Sequence, residues 1–309
     1  MLSAGRSLRA VGVGGAVCAL SLGYAYACKR PEPARQAAVV LPDTGLRSPE
    51  SALWDPASGV YLVSNVNGSP LARDDNGFIS RLDVEGRPLL WRWIDGADAN
   101  VALHAPKGMA IKGDTLFVAD IDVVRMFLRT TGAPVGERSV PGATFLNDVA
   151  VGPDGTVYVT DSGFRGDSGG AVPSGTDAVW RFGPGGAPEP VARGTSLAHP
   201  NGILAERDGL IVVSAGSGAV YRLDVNGRRT DLPAPPRDGL DGVVRAGDGS
   251  LLVSSWAGRA VYRLRSVVGP WTVAVDSVES PADIGWNSER GELAIPVFNG
   301  NKIVIRQVR

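Results

Sequence analysis

One short unit recurs six times along this chain, and that recurrence limits the possible folds more than any other feature. Each copy is a polar residue, usually followed by Gly or another small or acidic residue, then an apolar strand, a turn and a second apolar strand. The copies begin at Glu50-Ser51, Lys107-Gly108, Asn147-Asp148, Asn201-Gly202, Asp241-Gly242 and Asp283-Ile284. Their leading residues are 57, 40, 54, 40 and 42 positions apart (107−50, 147−107, 201−147, 241−201, 283−241). A period near 40 with four short strands per unit is the signature of radially packed β-sheets. The predicted fold is all-β: a six-bladed β-propeller with four strands per blade.

The finer text agrees with that architecture. Asp154-Gly155, Asp208-Gly209 and Asp248-Gly249 are hairpin turns. Third strands share a pattern in Val179-Trp180-Arg181-Phe182, Val220-Tyr221-Arg222-Leu223 and Val261-Tyr262-Arg263-Leu264. Alternation there predicts apolar side chains between blades and the Arg toward solvent. The last unit runs out of chain one strand early. The unassigned strand Ala38-Val39-Val40-Leu41 is predicted to complete that blade from outside and close the ring, which removes an open edge.

The first residues form a separate object. Arg6 and Arg9 precede an apolar, small-residue run to Ala27, which reads as an export signal over residues 1–28. Ala25-Tyr26-Ala27 fits ordinary signal cleavage, and Cys28 follows directly, as in a bacterial lipoprotein box. Lipidation of Cys28, plain secretion and a retained anchor all remain open. The only other cysteine, Cys18, lies within the signal, so the exported domain carries no disulfide. Residues 29–36, with two prolines and alternating charges, form a tether. Residues 37–309 form the propeller, about 45 per blade. A net charge of −1 offers no basic surface for nucleic acid. Contact with a membrane is expected only through the signal, anchor or lipid.

In a propeller the first strand of each blade lines the channel and its starting residue faces the mouth. Glu50, Asn147, Asn201 and Asp241 bring two carboxylates and two amide oxygens there. That set suits Ca²⁺ or another hard divalent cation completed by water, and it does not suit zinc.

These residues also carry a resemblance. Pro49-Glu50-Ser51, Asn147-Asp148 with Pro153-Asp154-Gly155, Pro200-Asn201-Gly202 and Asp241-Gly242 resemble the senescence marker protein/gluconolactonase/luciferin-regenerating enzyme family. At longer range they are similar to diisopropylfluorophosphatase and paraoxonase. The resemblance covers essentially residues 37–309. It implies a catalytic divalent ion, usually calcium, held in the channel by Glu50, Asn147, Asn201 and Asp241. It further implies hydrolysis of a small-molecule lactone or ester, with the ion polarising the carbonyl. Asp241 as nucleophile or His199 as general base would complete the chemistry, and His104 stands in a similar sequence position.

Lys107 departs from that pattern, because an ammonium opposes a cation. Glu50, Asp241 and Asp283 against Lys107 sum to −2 (three negative, one positive), which still holds Ca²⁺. Two roles for Lys107 stand open: an ion pair with Asp283 or Glu50, or a grip on an oxyanion or anionic substrate. Inserted loops at 65–76 and 162–177 are expected to roof the mouth. Asp120 and Asp161 are expected to cap turns. Trp54, Trp180, Trp256 and Trp286 are expected to pack.

Gly166-Asp167-Ser168-Gly169-Gly170 spells a serine-protease string without the His and Asp that such chemistry needs. Asp74-Asp75-Asn76-Gly77 starts like a calcium loop but lacks the later ligands. Two other functions are compatible with the pattern. One is a non-catalytic propeller that binds a ligand or protein partner, favoured by Lys107. The other is a strictosidine-synthase-like condensing enzyme, which requires an aromatic amine pocket.

Overall fold

The structure is a computed structural model and describes residues 39–40, 45–183 and 185–308. The export signal, Cys28 and the tether lie outside the described residues. Among the described residues, six four-stranded antiparallel sheets make up the fold, with one extra two-stranded hairpin. Blade 1 runs Pro49–Asp55, Val60–Asn65, Phe78–Leu82 and Pro88–Asp95. The first strands of blades 2 to 6 are Pro106–Lys112, Leu146–Val151, Pro200–Glu206, Leu240–Arg245 and Gly285–Asn287. First strands of neighbouring blades touch one another, so they line the axis. In blade 6, Gly285–Asn287, Glu292–Val297 and Lys302–Gln307 come from the end of the chain. Val39–Val40 pairs outside them, Val39 opposite Ile305 and Val40 opposite Val304.

Alternation sends one face of each sheet against the next, and the apolar clusters sit between blades. Ala110, Phe117, Val149, Val159, Trp180 and Phe182 join blades 2 and 3. Ala52, Trp54 and Tyr61 meet Ala294 and Ile303 where blade 1 abuts blade 6. Trp54 and Trp180 are buried in these seams, and Trp286 packs at the seam of blades 5 and 6, as expected for packing residues. The third-strand arginines divide. Arg181 and Arg222 are partly exposed, but Arg263 is buried against Ser250 Oγ and Asp248 Oδ2, each at 2.8 Å. The expectation of three solvent-facing arginines therefore fails at Arg263, where Asp248 and Ser250 of the preceding hairpin supply partners that make burial tolerable.

The recurring polar-small pair has a backbone cause. In blades 1 to 5 the register between first and second strand slips by one residue there, as between Pro49↔Asn65 and Ala52↔Val63 or Leu240↔Ser255 and Val243↔Val253. The pair forms a β-bulge, which turns the leading side chain toward the axis and frees the N–H of its successor from the ladder. In blades 1, 3 and 5 a buried hydroxyl on the second strand takes up that N–H. Ser64 Oγ accepts from Ser51 N at 2.9 Å, Thr160 Oγ1 from Asp148 N at 3.0 Å, and Ser254 Oγ from Gly242 N at 2.8 Å. Thr160 then donates to the Asn201 carbonyl at 2.7 Å, and Ser254 to the Ala282 carbonyl at 2.8 Å. Thr160 and Ser254 thus stitch blades 3 and 5 to the leading residue of the next blade.

This stitch corrects the reading of blade 6. Ala282, not Asp283, stands where Asn201 stands in blade 4. The bridges Pro281↔Val297 and Ser51↔Asp283 place Asp283 level with Ser51, in the second position. The spacing to blade 6 is therefore 41 (282−241) rather than 42. Asp283 imitates a leading residue in the sequence because it is polar like the true ones, and Ala282 is not.

Candidate functional site

Bulge geometry builds two stacked rings around the channel. The mouth-side ring is Glu50, Lys107, Asn147, Asn201, Asp241 and Ala282. Beneath it lie Ser51, Gly108, Asp148, Gly202, Gly242 and Asp283. All the polar members of the first ring are buried, Lys107 most of all at 1% exposure. The second ring must be small where blades converge. A Cβ on Gly108 would meet Asp148 Oδ1 at 2.1 Å, one on Gly202 the Asp241 carbonyl at 2.3 Å, and one on Gly242 Asp283 Oδ1 at 2.4 Å. Where a side chain is present, it reaches across the seam. Asp148 Oδ2 accepts from Ile203 N at 2.7 Å, and Ser51 Oγ donates to Asp283 Oδ2 at 2.5 Å.

Four carboxylates share this interior: Glu50, Asp148, Asp241 and Asp283. Burial raises all of them, and repulsion from neighbouring carboxylates adds to it at Glu50, Asp148 and Asp241. Glu50 and Asp148 are held well above the ordinary carboxylate range. Asp241 is pushed up to about 8 and Asp283 to about 7. The same burial lowers Lys107 to about 8, against the opposing pull of Asp120 and Glu50. Asp148 is legible in the sequence as part of the Asn147-Asp148 motif, but as a second-ring residue it falls outside a charge balance drawn over the leading residues.

The predicted ligands occupy the first ring and differ in how well their polar atoms are satisfied. Asp241 Oδ2 accepts from Trp256 Nε1 at 2.6 Å. Asn147 Nδ2 donates to Ser162 Oγ at 3.0 Å, and Asn201 Nδ2 to the Leu240 carbonyl at 3.3 Å. Glu50 Oε2, Asn147 Oδ1 and Asp241 Oδ1 are buried and have no hydrogen-bond partner among the described residues. Orphaned oxygens of this kind are costly to bury and need a ligand, ion or water. Their chemistry, two carboxylate oxygens and one amide oxygen, is the oxygen-only donor set of a hard cation. Among the described residues, no group of three His, Cys, Asp or Glu side chains is close enough to form a metal site without the asparagines.

Of the two roles open to Lys107, the ion pair with Asp283 or Glu50 is not made among the described residues. Its Nζ donates to the Ala105 carbonyl at 3.0 Å and stands 4.5 Å from the Phe145 ring centroid. Asp283 is instead engaged by Ser51, one ring down and across a different seam. Trp256 likewise departs from its expected packing role, because its indole N–H orients Asp241. The signal that could have found it is position: Trp256 follows the last residue of a second strand, at the mouth end of the sheet.

The two histidines separate. His104 Nδ1 accepts from Asp75 N at 3.2 Å and belongs to the loop leading into blade 2. His199 Nδ1 is 2.7 Å from the Ser162 carbonyl, an acceptor, so in the neutral imidazole Nδ1 carries the proton and Nε2 keeps the lone pair. Ser162 also joins Asn147, which ties His199 to the ring through one residue. Ala198 and His199 both sit in the left-handed region, at φ 56° and 60°. Such strain at non-glycine residues costs on the order of 1 kcal/mol each and persists where the surroundings impose it. Here Asp177 Oδ2 accepts from His199 N at 2.6 Å, and Phe164 stacks on the imidazole at 4.3 Å.

Asp120 and Asp161 do cap the loops leading into blades 2 and 3, accepting from Ala105 N at 2.8 Å and Phe145 N at 2.9 Å. The protease-like string is the tip of the hairpin Phe164–Asp167 and Gly170–Pro173, turned at Ser168-Gly169. That hairpin and the blade 1 insertion approach each other at the mouth, since a Cβ on Gly166 would lie 3.9 Å from Leu71.

The fold is shared with solved six-bladed propellers. A gluconolactonase from Xanthomonas campestris superposes with a TM-score of 0.66 at 18% identity, over 89% of this chain and 92% of that one. Streptogramin B lyase gives 0.63 at 14% identity, over 88% and 97%. A calcium-binding regucalcin from Agrobacterium tumefaciens gives 0.61 at 15% identity, over 89% and 94%. No protein-family model and no curated protein matches the chain. The class defined by fold and site is thus a six-bladed propeller with a buried, carboxylate-rich channel, of the architecture used by lactonases and lyases.

Proposed function

We propose that this protein is a divalent-cation-dependent hydrolase of a lactone or ester, with calcium as the preferred ion. The carrying observation is the set of orphaned buried oxygens on Glu50, Asn147 and Asp241, with Asn201 beside them. These four residues would hold the ion. When bound, it would supply a positive charge that polarises the substrate carbonyl and lowers the pKa of a water.

The chain's own residues account for the rest of the reaction. His199 Nε2, with its lone pair free, accepts the proton as water oxygen adds to the carbonyl carbon. The bond from that carbon to the leaving oxygen then breaks, and the proton passes to the released alkoxide. Lys107 has spent one of its three N–H donors on Ala105, and its charge favours an anionic oxygen near Glu50. Trp256 holds Asp241 in one orientation, and Ser162 fixes both Asn147 and His199. The similarity to a gluconolactonase and to a calcium-binding regucalcin supports this reading without deciding the substrate.

We further propose that the enzyme works at the cell envelope, on the reading of residues 1–28 as an export signal. Mass spectrometry of the mature N-terminus tests this: a diacylated Cys28 marks a lipoprotein, and an unmodified one marks plain secretion. Activity on a panel of lactones and esters, in calcium and then in chelator, tests the reaction. Turnover that chelator abolishes and Glu50→Gln eliminates supports it; turnover indifferent to chelator contradicts it. Lys107 favours a second reading, a non-catalytic binding propeller, which predicts ligand binding without turnover of any panel member.

A further inference from the structure

The walls above the ring indicate what kind of substrate fits. Phe145 lies over Lys107, Phe164 meets Phe145 edge-on at 5.7 Å, and His199 stacks on Phe164 at 4.3 Å. These rings form a continuous ladder from blade 2 to blade 4. On the other side Trp256, whose indole N–H holds Asp241, packs against Phe298 at 5.5 Å. All five rings sit at one end of the propeller, either just before a first strand or just after a second strand. Phe145, Phe164, His199, Trp256 and Phe298 are all partly exposed rather than sealed in the core. Each thus keeps part of its surface open to solvent at that end.

A polyhydroxylated ring meets these rungs only with its C–H faces, and the phenylalanines Phe145, Phe164 and Phe298 offer its hydroxyls no hydrogen bond. A planar or apolar group gains from the same faces, through area burial and ring–ring contact. We propose that the channel mouth is an aromatic clamp, and that its substrate is an aryl or otherwise apolar lactone or ester rather than a sugar lactone. Phe164 is the specificity-determining residue, because it is the middle rung and is carried on a hairpin added to blade 3. The proposal deepens the hydrolase reading and rests on it for the reaction, but the clamp itself can be tested by binding alone.

The test pairs two non-hydrolysable lactams, 3,4-dihydro-2-quinolinone and D-glucono-1,5-lactam, by titration calorimetry on the calcium-loaded protein. The corresponding lactones, dihydrocoumarin and D-glucono-1,5-lactone, are assayed for turnover. The expected result is that the aryl lactam binds at least 10-fold more tightly than the sugar lactam. Phe164→Ala is expected to lose about 10-fold in aryl-lactam affinity, while Phe164→Tyr retains it. Melting curves of both variants confirm that they fold. Aryl-lactam binding with no lactone turnover supports the clamp and removes the hydrolase reading. Turnover of the sugar lactone with tighter sugar-lactam binding keeps the hydrolase and overturns the clamp. Failure of the aryl lactam to bind, or indifference to Phe164→Ala, also overturns it.

Discussion

At the scale of single residues, the site is a balance between blade convergence and charge. Glycines of the second ring are required by space: Gly202→Ala puts a Cβ at 2.3 Å from the Asp241 carbonyl, a backbone atom that cannot yield. We expect a loss of about 1–3 kcal/mol, read from urea unfolding. Gly183→Ala, which meets nothing within 4 Å, is the control and should be close to neutral. Equal effects of the two would contradict the converging-blade account. Lys107→Met removes the one cation among four buried carboxylates. If the ring holds a divalent ion, this variant binds calcium more tightly, by about 10-fold for a relief on the order of 1.4 kcal/mol. Unchanged or weaker calcium affinity would mean that Lys107 lies outside the ion's field.

At the scale of strands, the repeat was readable because the bulge imposes a constant spacing between a polar residue, a small one and an apolar run. The turns were readable from Asp-Gly pairs. Blade 6 was misaligned by one residue because Ala282 carries no polar signature, and only the Ser254 stitch and the Ser51↔Asp283 bridge fix its register. Ring contacts such as Phe164 on His199 had no local signal, since they join residues 35 apart (199−164) in different blades. The outermost strand of blade 6 is formed by the opposite end of the chain. Deleting residues 37–42 removes the pairing of Val39 and Val40 and exposes the edge at Lys302–Gln307. At about 1 kcal/mol per net hydrogen bond, the expected cost is about 2 kcal/mol, several degrees in Tm. A deletion variant that melts with the parent would show that the ring does not depend on this strand.

At the scale of the whole molecule, the propeller concentrates like charges on its own axis, and stability should register it. Asp241 and Asp283 hold protons to about 8 and 7 in the folded state, against about 3.9 when unfolded. Between those limits the folded state binds more protons, so stability falls as pH rises from about 4 to about 8. Lys107, lowered to about 8 when folded, acts with the opposite sign above that pH. In chelator, Tm should therefore decline from pH 5.5 to pH 8 and flatten beyond it. A Tm that rises across that range would contradict the buried-carboxylate picture. The decisive measurement is a calcium titration of the purified protein by calorimetry, repeated on Asp241→Asn. The account predicts one site in the parent, a stabilisation of about 2.7 kcal/mol at 100 times Kd, and loss of both in the variant. No heat and no shift in Tm with calcium, magnesium or manganese, in a protein shown to be folded, would mean that the orphaned oxygens of Glu50, Asn147 and Asp241 do not form a metal site.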